Sequence, residues 1–462
     1  MKFIGRKKEI SEINYLLSSN GFKSGIIYGR RRLGKTELIK FCISNANIDY
    51  IYYQCNQENE ESNIYDLHSI LKDKFDCNNI SFNSFVDLLE YVFKQSLDRK
   101  LILVLDEYPY IRKLINGLDS KIQRLIDKYE NISNLKFFLL GSSISTMEDI
   151  QSDKNPLYRR FNLTILLKEM NYLESKEFYP SFSNEDKVRL YAAFGGVPFY
   201  NKQIDPNLSV KQNIIKLLSG SFAYINEDIT TYLKEELSKL NNAYQVFSSI
   251  AMGAYHYSDI LSKTNFNTSS TLYDTLDVLL KMDLIEYISP INEKNNKKKS
   301  GYIISDSSVY FYYKYIYHNL SAKQILDEST FFDLYIAKEF EEKRVPKIFE
   351  KIVKEYLIIK NKKCENKYLF TDIGTYWYDD PISKTNGEFD VVCKSDLGYI
   401  FYEVKFRNQK INDELISEEI NQVNKTNLNA IDYGFVSKSG FDLKNNYVYD
   451  LICLSDIYNI KE

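Results

Sequence analysis

The chain of 462 residues is too long for a single hydrophobic core and predicts about two to four domains of ordinary size. Its 44% hydrophobic and 27% charged residues are typical of folded proteins and argue against long disordered tails. The formal net charge of −3 excludes a globally basic nucleic-acid-binding protein, so any contact with DNA has to be regional.

Neither the cysteines nor the N-terminus indicates an extracellular or membrane setting. The six cysteines include no C-x-x-C pair, so neither a zinc site nor a disulfide framework is predicted. The N-terminus lacks an apolar signal core, and no apolar run approaches the roughly 18 residues that a membrane span requires. We therefore expect a cytoplasmic protein with no membrane partner.

The first chemical motif follows a short apolar strand at residues 25–28. The next eight residues read G-x-x-x-x-G-K-T and lead into a helix-like segment. In this context the glycines let backbone N–H groups face phosphates, Lys35 reaches the β- and γ-phosphates, and the Thr36 hydroxyl ligates Mg²⁺. A site for ATP and Mg²⁺ is therefore predicted. Its expected nucleotide-contacting residues are Gly29, Arg30, Arg31, Arg32, Leu33, Gly34, Lys35, Thr36 and Glu37.

Two further strands end in polar residues of the same predicted site. Asp106 and Glu107 follow the apolar residues 101–105, and Ser142 follows the apolar residues 136–140. Asp106 is predicted to hold the Mg²⁺ shell, Glu107 to orient or deprotonate the attacking water, and Ser142 to sense the γ-phosphate. The alternative for the two acids is a solvated turn at a strand end. Alternation of these strands with helical stretches predicts an α/β core with a doubly wound, mainly parallel sheet.

Several short motifs are shared with one family of ATPases. They are Phe3-Ile4-Gly5-Arg6, the glycine-rich loop with its Lys-Thr, Leu-Asp-Glu at 105–107, Gly-Ser-Ser at 141–143, Pro156-Leu157-Tyr158-Arg159-Arg160 and Gly195-Gly196-Val197-Pro198. Together they resemble the archaeal-type P-loop ATPases of the AAA+/STAND group. The resemblance implies that residues 4–6 lie near the adenine and that Pro198 belongs to a lid over the nucleotide. It also implies an arginine finger or sensor at Arg159 or Arg160, the alternative being a solvated or salt-bridged helix start.

The middle of the chain is predicted to be mainly helical. Residues 1–168 form the ATPase core, residues 169–238 read as a helical lid, and residues 239–325 as a winged helix-turn-helix. The hairpin at 284–304 has four lysines at its tip, Lys294, Lys297, Lys298 and Lys299. They predict salt-sensitive contact with a DNA backbone, although a solvated loop or a packing module is the alternative. The helix at 269–282 carries no arginine, so reading of base edges is not predicted.

Residues 326–462 are predicted to form a separate α/β domain in which charged groups converge. Glu403 and Lys405 are two apart on one strand and share a face, and Asp390 lies on the same or the adjoining strand. Carboxylates on adjacent strands suit Mg²⁺-dependent phosphodiester hydrolysis, and a nearby lysine positions water or offsets negative charge. The alternative is a surface Glu-Lys ladder on an ordinary sheet.

This D…E-x-K arrangement resembles the restriction-endonuclease-like, PD-(D/E)xK nucleases, and the whole chain is similar to archaeal-type ATPases that carry a C-terminal domain of unknown function. The resemblance implies a further metal-binding acid at Glu350 and a weaker contribution from Gln422, although no proline precedes Asp390. The predicted catalytic residues are Glu107, Asp390, Glu403 and Lys405. The predicted metal ligands are Thr36, Asp106, Glu350, Asp390 and Glu403.

The combined prediction is an ATP-binding and hydrolysing switch coupled to a Mg²⁺-dependent DNA nuclease-like domain, in defence or mobile-element biology. The alternative is an ATPase regulator whose winged-helix and C-terminal domains only bind DNA or protein. A nucleotide-binding scaffold without turnover is opposed by Glu107. DNA is the expected partner, and an arginine acting in trans would require a homo-oligomer or a protein partner.

Overall fold

The computed structural model describes residues 3–236, 243–266, 268–294, 296–380, 385–426 and 428–461. The chain divides into two compact units, Met1–Glu169 and Met170–Glu462. The first unit ends at Glu169, beside the predicted end of the ATPase core at 168, and the division of the second unit into the three later domains stays a prediction. The predicted boundary between the lid and the winged helix, at 238, lies outside the described residues. Within the ranges described, none of the helices combines the length and the apolar character needed to cross a bilayer.

The first unit is built on a parallel sheet of five strands in the order β2-β3-β4-β1-β5. The strands are β1 (Lys23–Tyr28), β2 (Asp49–Gln54), β3 (Leu101–Asp106), β4 (Leu135–Gly141) and β5 (Leu163–Leu166). The helices are α1 (Lys7–Ser18), α2 (Lys35–Ser44), α3 (Glu60–Lys72), α4 (Phe85–Gln95), α5 (Tyr108–Leu114), α6 (Leu118–Tyr129) and α7 (Ile144–Ile150). Strands β3 and β4 are buried along their whole length, as expected for strands covered on both faces. The predicted parallel α/β sheet is confirmed here.

One lysine is buried within this sheet. Lys136 on β4 is fully buried, and its ammonium group donates a hydrogen bond to the carbonyl oxygen of Gly21. Burial lowers the pKa of Lys136 to about 8, and the positive charges of Lys100 and Lys23 add to this effect. The folded chain therefore binds fewer protons than the unfolded chain at alkaline pH.

Replacing Lys136 by methionine is expected to flatten the dependence of stability on pH. Between the folded pKa of about 8 and the ordinary value of 10.5, the unfolded chain binds more protons, so the free energy of unfolding rises with pH. That gain is lost as the pH falls through 8. Urea unfolding at several pH values from 7 to roughly 10 measures the slope. Lys113→Met, at an exposed position in the last turn of α5, is the control, and equal slopes for wild type and Lys136→Met would refute the assignment.

The second unit contains a mixed sheet of five strands in the order β14-β12-β10-β9-β8, together with two small two-stranded sheets, β6-β7 and β11-β13. The strands are β6 (Ile285–Ile288), β7 (Gly301–Ile304), β8 (Asp372–Asp380), β9 (Thr385–Lys394), β10 (Tyr399–Lys405), β11 (Ile411–Asn412), β12 (Ala430–Ser437), β13 (Phe441–Asp442) and β14 (Asp450–Cys453). Strand β10 pairs parallel with β12 and antiparallel with β9.

The helices of the second unit lie before, between and after these strands along the chain. They are α8 (Tyr172–Ser175), α9 (Asn184–Phe194), α10 (Pro198–Asn201), α11 (Val210–Ile214), α12 (Tyr224–Glu236), α13 (Ala243–Ala251), α14 (Tyr257–Lys263), α15 (Ser269–Lys281), α16 (Ser307–Phe311), α17 (Leu320–Ile325), α18 (Glu328–Phe332), α19 (Val345–Lys362), α20 (Asp413–Asn424) and α21 (Leu454–Asn459). Short π-helical turns lie at Ile215–Ser219, Tyr312–Ile316, Asp333–Ala337 and Phe340–Arg344, and 3₁₀ turns at Lys176–Phe178 and Tyr317–Asn319.

The segment that joins β6 to β7 packs against the edge of the C-terminal sheet. The backbone N–H of Ile291 donates to the Thr375 carbonyl oxygen on β8 at 2.8 Å, and the Ile291 side chain joins the core of that sheet. Lys294 forms an ion pair with Asp372. This contact matches the packing alternative for the hairpin, and the contact between its lysines and DNA stays a prediction.

Candidate functional site

The glycine-rich loop connects β1 to α2 at the carboxyl end of the parallel sheet. Gly29 has φ 143°, and a Cβ there would lie 2.4 Å from the Leu167 carbonyl oxygen, so only glycine fits. Gly34 has φ 86° and forms the N-cap of α2. Both glycines thus let the backbone turn tightly before a helix N-terminus, a position that suits an anion.

The Lys35 side chain is bound by backbone carbonyl oxygens of the glycine-rich loop. Lys35 is 6% exposed, and its Nζ donates to the carbonyl oxygens of Gly29 at 2.7 Å and Arg30 at 3.0 Å. The ammonium group is therefore already placed among the backbone groups that are predicted to surround phosphates. A buried positive charge in this position favours an anionic ligand.

The other side chains of the loop point mostly toward protein. Arg30 forms an ion pair with Glu169, and Arg31 donates to the Tyr110 hydroxyl at 3.1 Å. Leu33 is buried, whereas Arg32, with φ 70°, and Glu37 in the first turn of α2 are exposed. Arg6, from the segment predicted near the adenine, donates to the carbonyl oxygens of Lys168 and Leu33 at 2.5 Å and 3.4 Å. These contacts hold the loop in shape, and contact of each residue with nucleotide stays a prediction.

Asp106 lies at the end of β3 with its carboxylate fully buried and hydrogen-bonded at both oxygens. Oδ2 accepts from the Thr36 hydroxyl and from the Tyr52 hydroxyl, each at 2.6 Å, and Oδ1 accepts from the Glu107 N–H at 2.8 Å. A carboxylate beside a threonine hydroxyl is the oxygen set that Mg²⁺ prefers next to phosphates. The residues present therefore fit ATP with Mg²⁺. Tyr52 was not predicted, although parallel pairing of β2 with β3 is the signal that places it here.

Glu107 is held by the predicted phosphate sensor. Its backbone has φ 51°, which is unfavourable for a residue other than glycine and marks a place where structure stores strain. Oε2 accepts hydrogen bonds from the Ser142 hydroxyl at 2.8 Å and from the Ser142 N–H at 3.3 Å. The adjoining ends of β3 and β4 thus bring Glu107 and Ser142 together, and their roles toward water and the γ-phosphate stay predictions.

Arg160 lies away from this site. It precedes β5, and its carbonyl oxygen accepts from the Ser24 hydroxyl at 2.6 Å, near the amino end of β1. Its guanidinium lies 3.0 Å from Asp127. This ion pair matches the salt-bridged alternative, and contact of Arg160 with nucleotide bound to its own chain stays a prediction. Action of Arg160 or of exposed Arg159 in trans stays a prediction.

The Gly-Gly-x-Pro segment turns tightly within the second unit. A Cβ at Gly196 would lie 1.8 Å from the Met170 carbonyl oxygen, and Pro198 is the first residue of α10. Proline is well suited to that position because the first helical N–H needs no partner. Contact of Pro198 with the nucleotide stays a prediction.

In the C-terminal sheet, the E-x-K pair lies on β10 as predicted. Lys405 forms an ion pair with Glu403, which places both side chains on one face of the strand. Asp390 on neighbouring β9 accepts at Oδ2 from the Val404 N–H at 3.2 Å. The Asp390 carboxylate therefore lies beside the E-x-K segment.

Helices α19 and α20 bring further acids toward Asp390. Burial raises the pKa of Glu350 on α19 to about 7, with Lys347 opposing this rise and Asp390 adding to it. Burial also raises the pKa of Asp390, against the opposing charge of Lys405, and it raises the pKa of Glu419 on α20. These mutual effects mean that Glu350, Asp390 and Glu419 share one electrostatic region.

The predicted metal ligands of this region are not gathered into a metal site. Among the residues whose placement is described, no three His, Cys, Asp or Glu side chains lie close enough together to hold a metal ion. Glu350 instead lies 2.8 Å from the Lys347 ammonium, and Glu403 pairs with Lys405. Gln422 donates to the Tyr378 hydroxyl. Glu419, one helical turn earlier, was not predicted.

Two different family models match the N-terminal and C-terminal parts of the chain. Residues 3–204 match a family model described as an ATPase domain predominantly from Archaea. Residues 312–422 match a model of archaeal and bacterial proteins of unknown function. The C-terminal match thus assigns no activity.

Three similar proteins come from archaea. An uncharacterised protein of Methanocaldococcus jannaschii is 28% identical over 414 residues, which is 89% of each chain. An uncharacterised ATP-binding protein of the same organism is 23% identical over 66% of this chain and 94% of that protein. A Walker-type ATPase of Pyrococcus abyssi has a TM-score of 0.50 at 20% identity, over 68% of this chain and 96% of that one, and this likeness shows the fold alone. Residues 3–204, which contain the glycine-rich loop, Asp106 and Ser142, are therefore similar to ATPase domains found predominantly in Archaea.

Proposed function

We propose that this chain is an ATP-hydrolysing switch of the AAA+/STAND type. The observation that carries the proposal is the hydrogen bond from the Thr36 hydroxyl to the buried Asp106 carboxylate, at 2.6 Å. Asp106 is the last residue of β3 and is followed directly by Glu107. Lys35 inside the loop supplies the positive charge. When bound, ATP supplies the γ-phosphoryl group, and Mg²⁺ neutralises charge beside it.

The residues then have separate roles. Lys35 stabilises charge that develops on the phosphate oxygens, while Thr36 and Asp106 hold the magnesium. Glu107 orients or deprotonates the attacking water. Because Ser142 donates two hydrogen bonds to Glu107, a γ-phosphate that draws the Ser142 hydroxyl away would free the Glu107 carboxylate for this task. Phosphate release from ATP, measured for the wild-type chain with Mg²⁺ and with EDTA, tests the proposal; release that does not depend on Mg²⁺ would count against it.

We infer a second candidate activity, cleavage of phosphodiester bonds in DNA by the C-terminal sheet. The hydrogen bond from the Val404 N–H to Asp390, which places this acid beside Glu403 and Lys405, favours it. Cleavage would require two ion pairs to open, because Lys405 is paired with Glu403 and Lys347 is paired with Glu350. The alternative is that the later domains only bind DNA or protein.

Replacing Asp390 by alanine is expected to reduce DNA cleavage at least about a hundredfold, because an acid beside the reacting phosphate is lost. ATP hydrolysis is expected to stay unchanged, since Asp390 belongs to the second unit. The assay incubates linear, circular and single-stranded DNA with Mg²⁺, Mn²⁺ or EDTA, with and without ATP. Asp396→Ala, at an exposed site before β10, is the control. Intact DNA with the wild type in every condition would favour the binding alternative, and loss of both activities would contradict the division of roles.

A further inference from the structure

We propose that Tyr52 is a positioning residue that keeps the Asp106 carboxylate oriented for the magnesium–nucleotide complex. This inference rests on the proposed ATPase function and assigns part of its magnesium dependence to a hydroxyl outside the glycine-rich loop. The contact is the hydrogen bond from the Tyr52 hydroxyl to Asp106 Oδ2, at 2.6 Å.

The position of Tyr52 follows from the strand order. Strand β2 pairs in parallel with β3, and Tyr52 lies opposite Val104, two residues before Asp106. The backbone N–H of Cys55 also donates to the Asp106 carbonyl oxygen at 2.8 Å, so the ends of the two strands are tied together. The Tyr52 side chain therefore approaches Asp106 from a neighbouring strand with little freedom to move away.

The tyrosine ring is also held from the side of α2. The Lys40 ammonium lies 4.3 Å from the centre of the Tyr52 ring, a distance that suits a cation–π contact. Lys40 is four residues after Thr36, so both side chains lie on the same face of the helix.

Nucleotide binding has different consequences for the Thr36 and Tyr52 hydroxyls, which both donate to Asp106 Oδ2. Thr36 is the predicted magnesium ligand, so its hydroxyl has to turn from Asp106 toward the ion. The Tyr52 hydroxyl has no such second task, and it continues to hold Oδ2 when Thr36 leaves. Without Tyr52, the carboxylate would lose a charge-assisted hydrogen bond in the magnesium-bound state, where the orientation of Asp106 matters most.

Tyr52→Phe tests this inference because it removes the hydroxyl and keeps the ring over Lys40. One measurement is the affinity for a fluorescent ADP analogue in EDTA and in Mg²⁺, and the other is the Mg²⁺ concentration that gives half-maximal ATP hydrolysis. We expect the affinity in EDTA to be unchanged, whereas the affinity gained on adding Mg²⁺ falls and the half-maximal Mg²⁺ concentration rises, each roughly tenfold. Tyr50→Phe is the matched control, since Tyr50 lies two residues earlier on the same strand with its ring near Lys74.

Two results would overturn the assignment. A magnesium dependence equal to that of the wild type would mean that Thr36 and the backbone suffice to orient Asp106. An equal loss of affinity in EDTA and in Mg²⁺ would mean that Tyr52 only supports the fold of the loop, and thermal unfolding of the variant would register the same defect. Failure of the ATPase proposal is distinguished from both, because it would appear in the wild type as absent nucleotide binding or absent hydrolysis.

Discussion

Replacing Lys35 by alanine is expected to lower ATP turnover by roughly a thousandfold. The Lys35 ammonium is the buried positive charge inside the glycine-rich loop, held by the carbonyl oxygens of Gly29 and Arg30. Alanine removes this charge from the phosphates and leaves the two carbonyl oxygens without their donor. Nucleotide affinity is expected to fall as well, because the charge also attracts the ground state of the phosphates.

The measurement for Lys35 is phosphate release at saturating ATP, with thermal unfolding recorded for each variant. Lys35→Met keeps the aliphatic part of the side chain and separates loss of charge from loss of packing. Lys113→Ala, at an exposed position in the last turn of α5, controls for removal of a surface lysine. Normal turnover in Lys35→Ala would exclude the glycine-rich loop as the ATPase site.

Replacing Glu107 by glutamine is expected to lower turnover by about a hundredfold to ten-thousandfold while nucleotide binding persists. Glutamine has nearly the same shape and retains an oxygen that accepts from Ser142, so the surroundings of residue 107 are preserved. It has no carboxylate, however, and neither orients nor deprotonates water as strongly. The predicted variant therefore binds ATP and holds it.

Equilibrium binding of ATP and release of phosphate, measured on the same preparation, separate these two steps for Glu107→Gln. The control is Glu130→Gln, at the exposed end of α6, which changes charge equally without touching the site. Full turnover in Glu107→Gln would assign the activation of water to another residue. Loss of binding together with turnover would show that Glu107 supports the loop and does not act in chemistry.

The nucleotide site was predictable because its determinants are local in sequence. Gly29 to Thr36 form a strand-to-helix turn, and Asp106 and Ser142 each end an apolar strand, so parallel pairing brings them to one edge. The order of the strands was not predictable in this way. Strand β4 lies between β1 and β3, and that choice depends on long-range packing of buried faces.

The contacts that the sequence did not predict share a physical cause, which is the packing of segments that are distant in sequence. Tyr52 reaches Asp106 only because β2 pairs with β3 in the observed register. Arg160 is an ordinary arginine in sequence, and its location follows from the packing of the segment before β5 near Ser24. The contact of Ile291 with β8 likewise joins residues 84 positions apart, from 291 to 375. None of these partners leaves a periodic pattern in the chain.

In the C-terminal region, too, local features of a strand were predictable from sequence, whereas contacts between distant segments were not. Glu403 and Lys405 share a face of β10 because alternation along a strand is a local property. On α20, however, Gln422 contacts Tyr378, whereas Glu419, one turn earlier, lies near Asp390 and Lys405. Because Glu419 and Gln422 are three residues apart, they lie on one side of α20. Which of them lies near Asp390 depends on how the helix packs on the sheet, and sequence spacing does not determine this.

The most direct test of the ATPase assignment is a single-turnover measurement of ATP hydrolysis by the wild-type chain. The protein, in excess over ATP, is mixed with Mg²⁺, and bound ATP and ADP are quantified over time by chromatography. We expect bound ATP to be converted to ADP and phosphate by the wild type, and Glu107→Gln to retain ATP under the same conditions. ATP that is bound by the folded wild-type chain and recovered intact would contradict the ATPase assignment and would leave a nucleotide-binding scaffold without turnover.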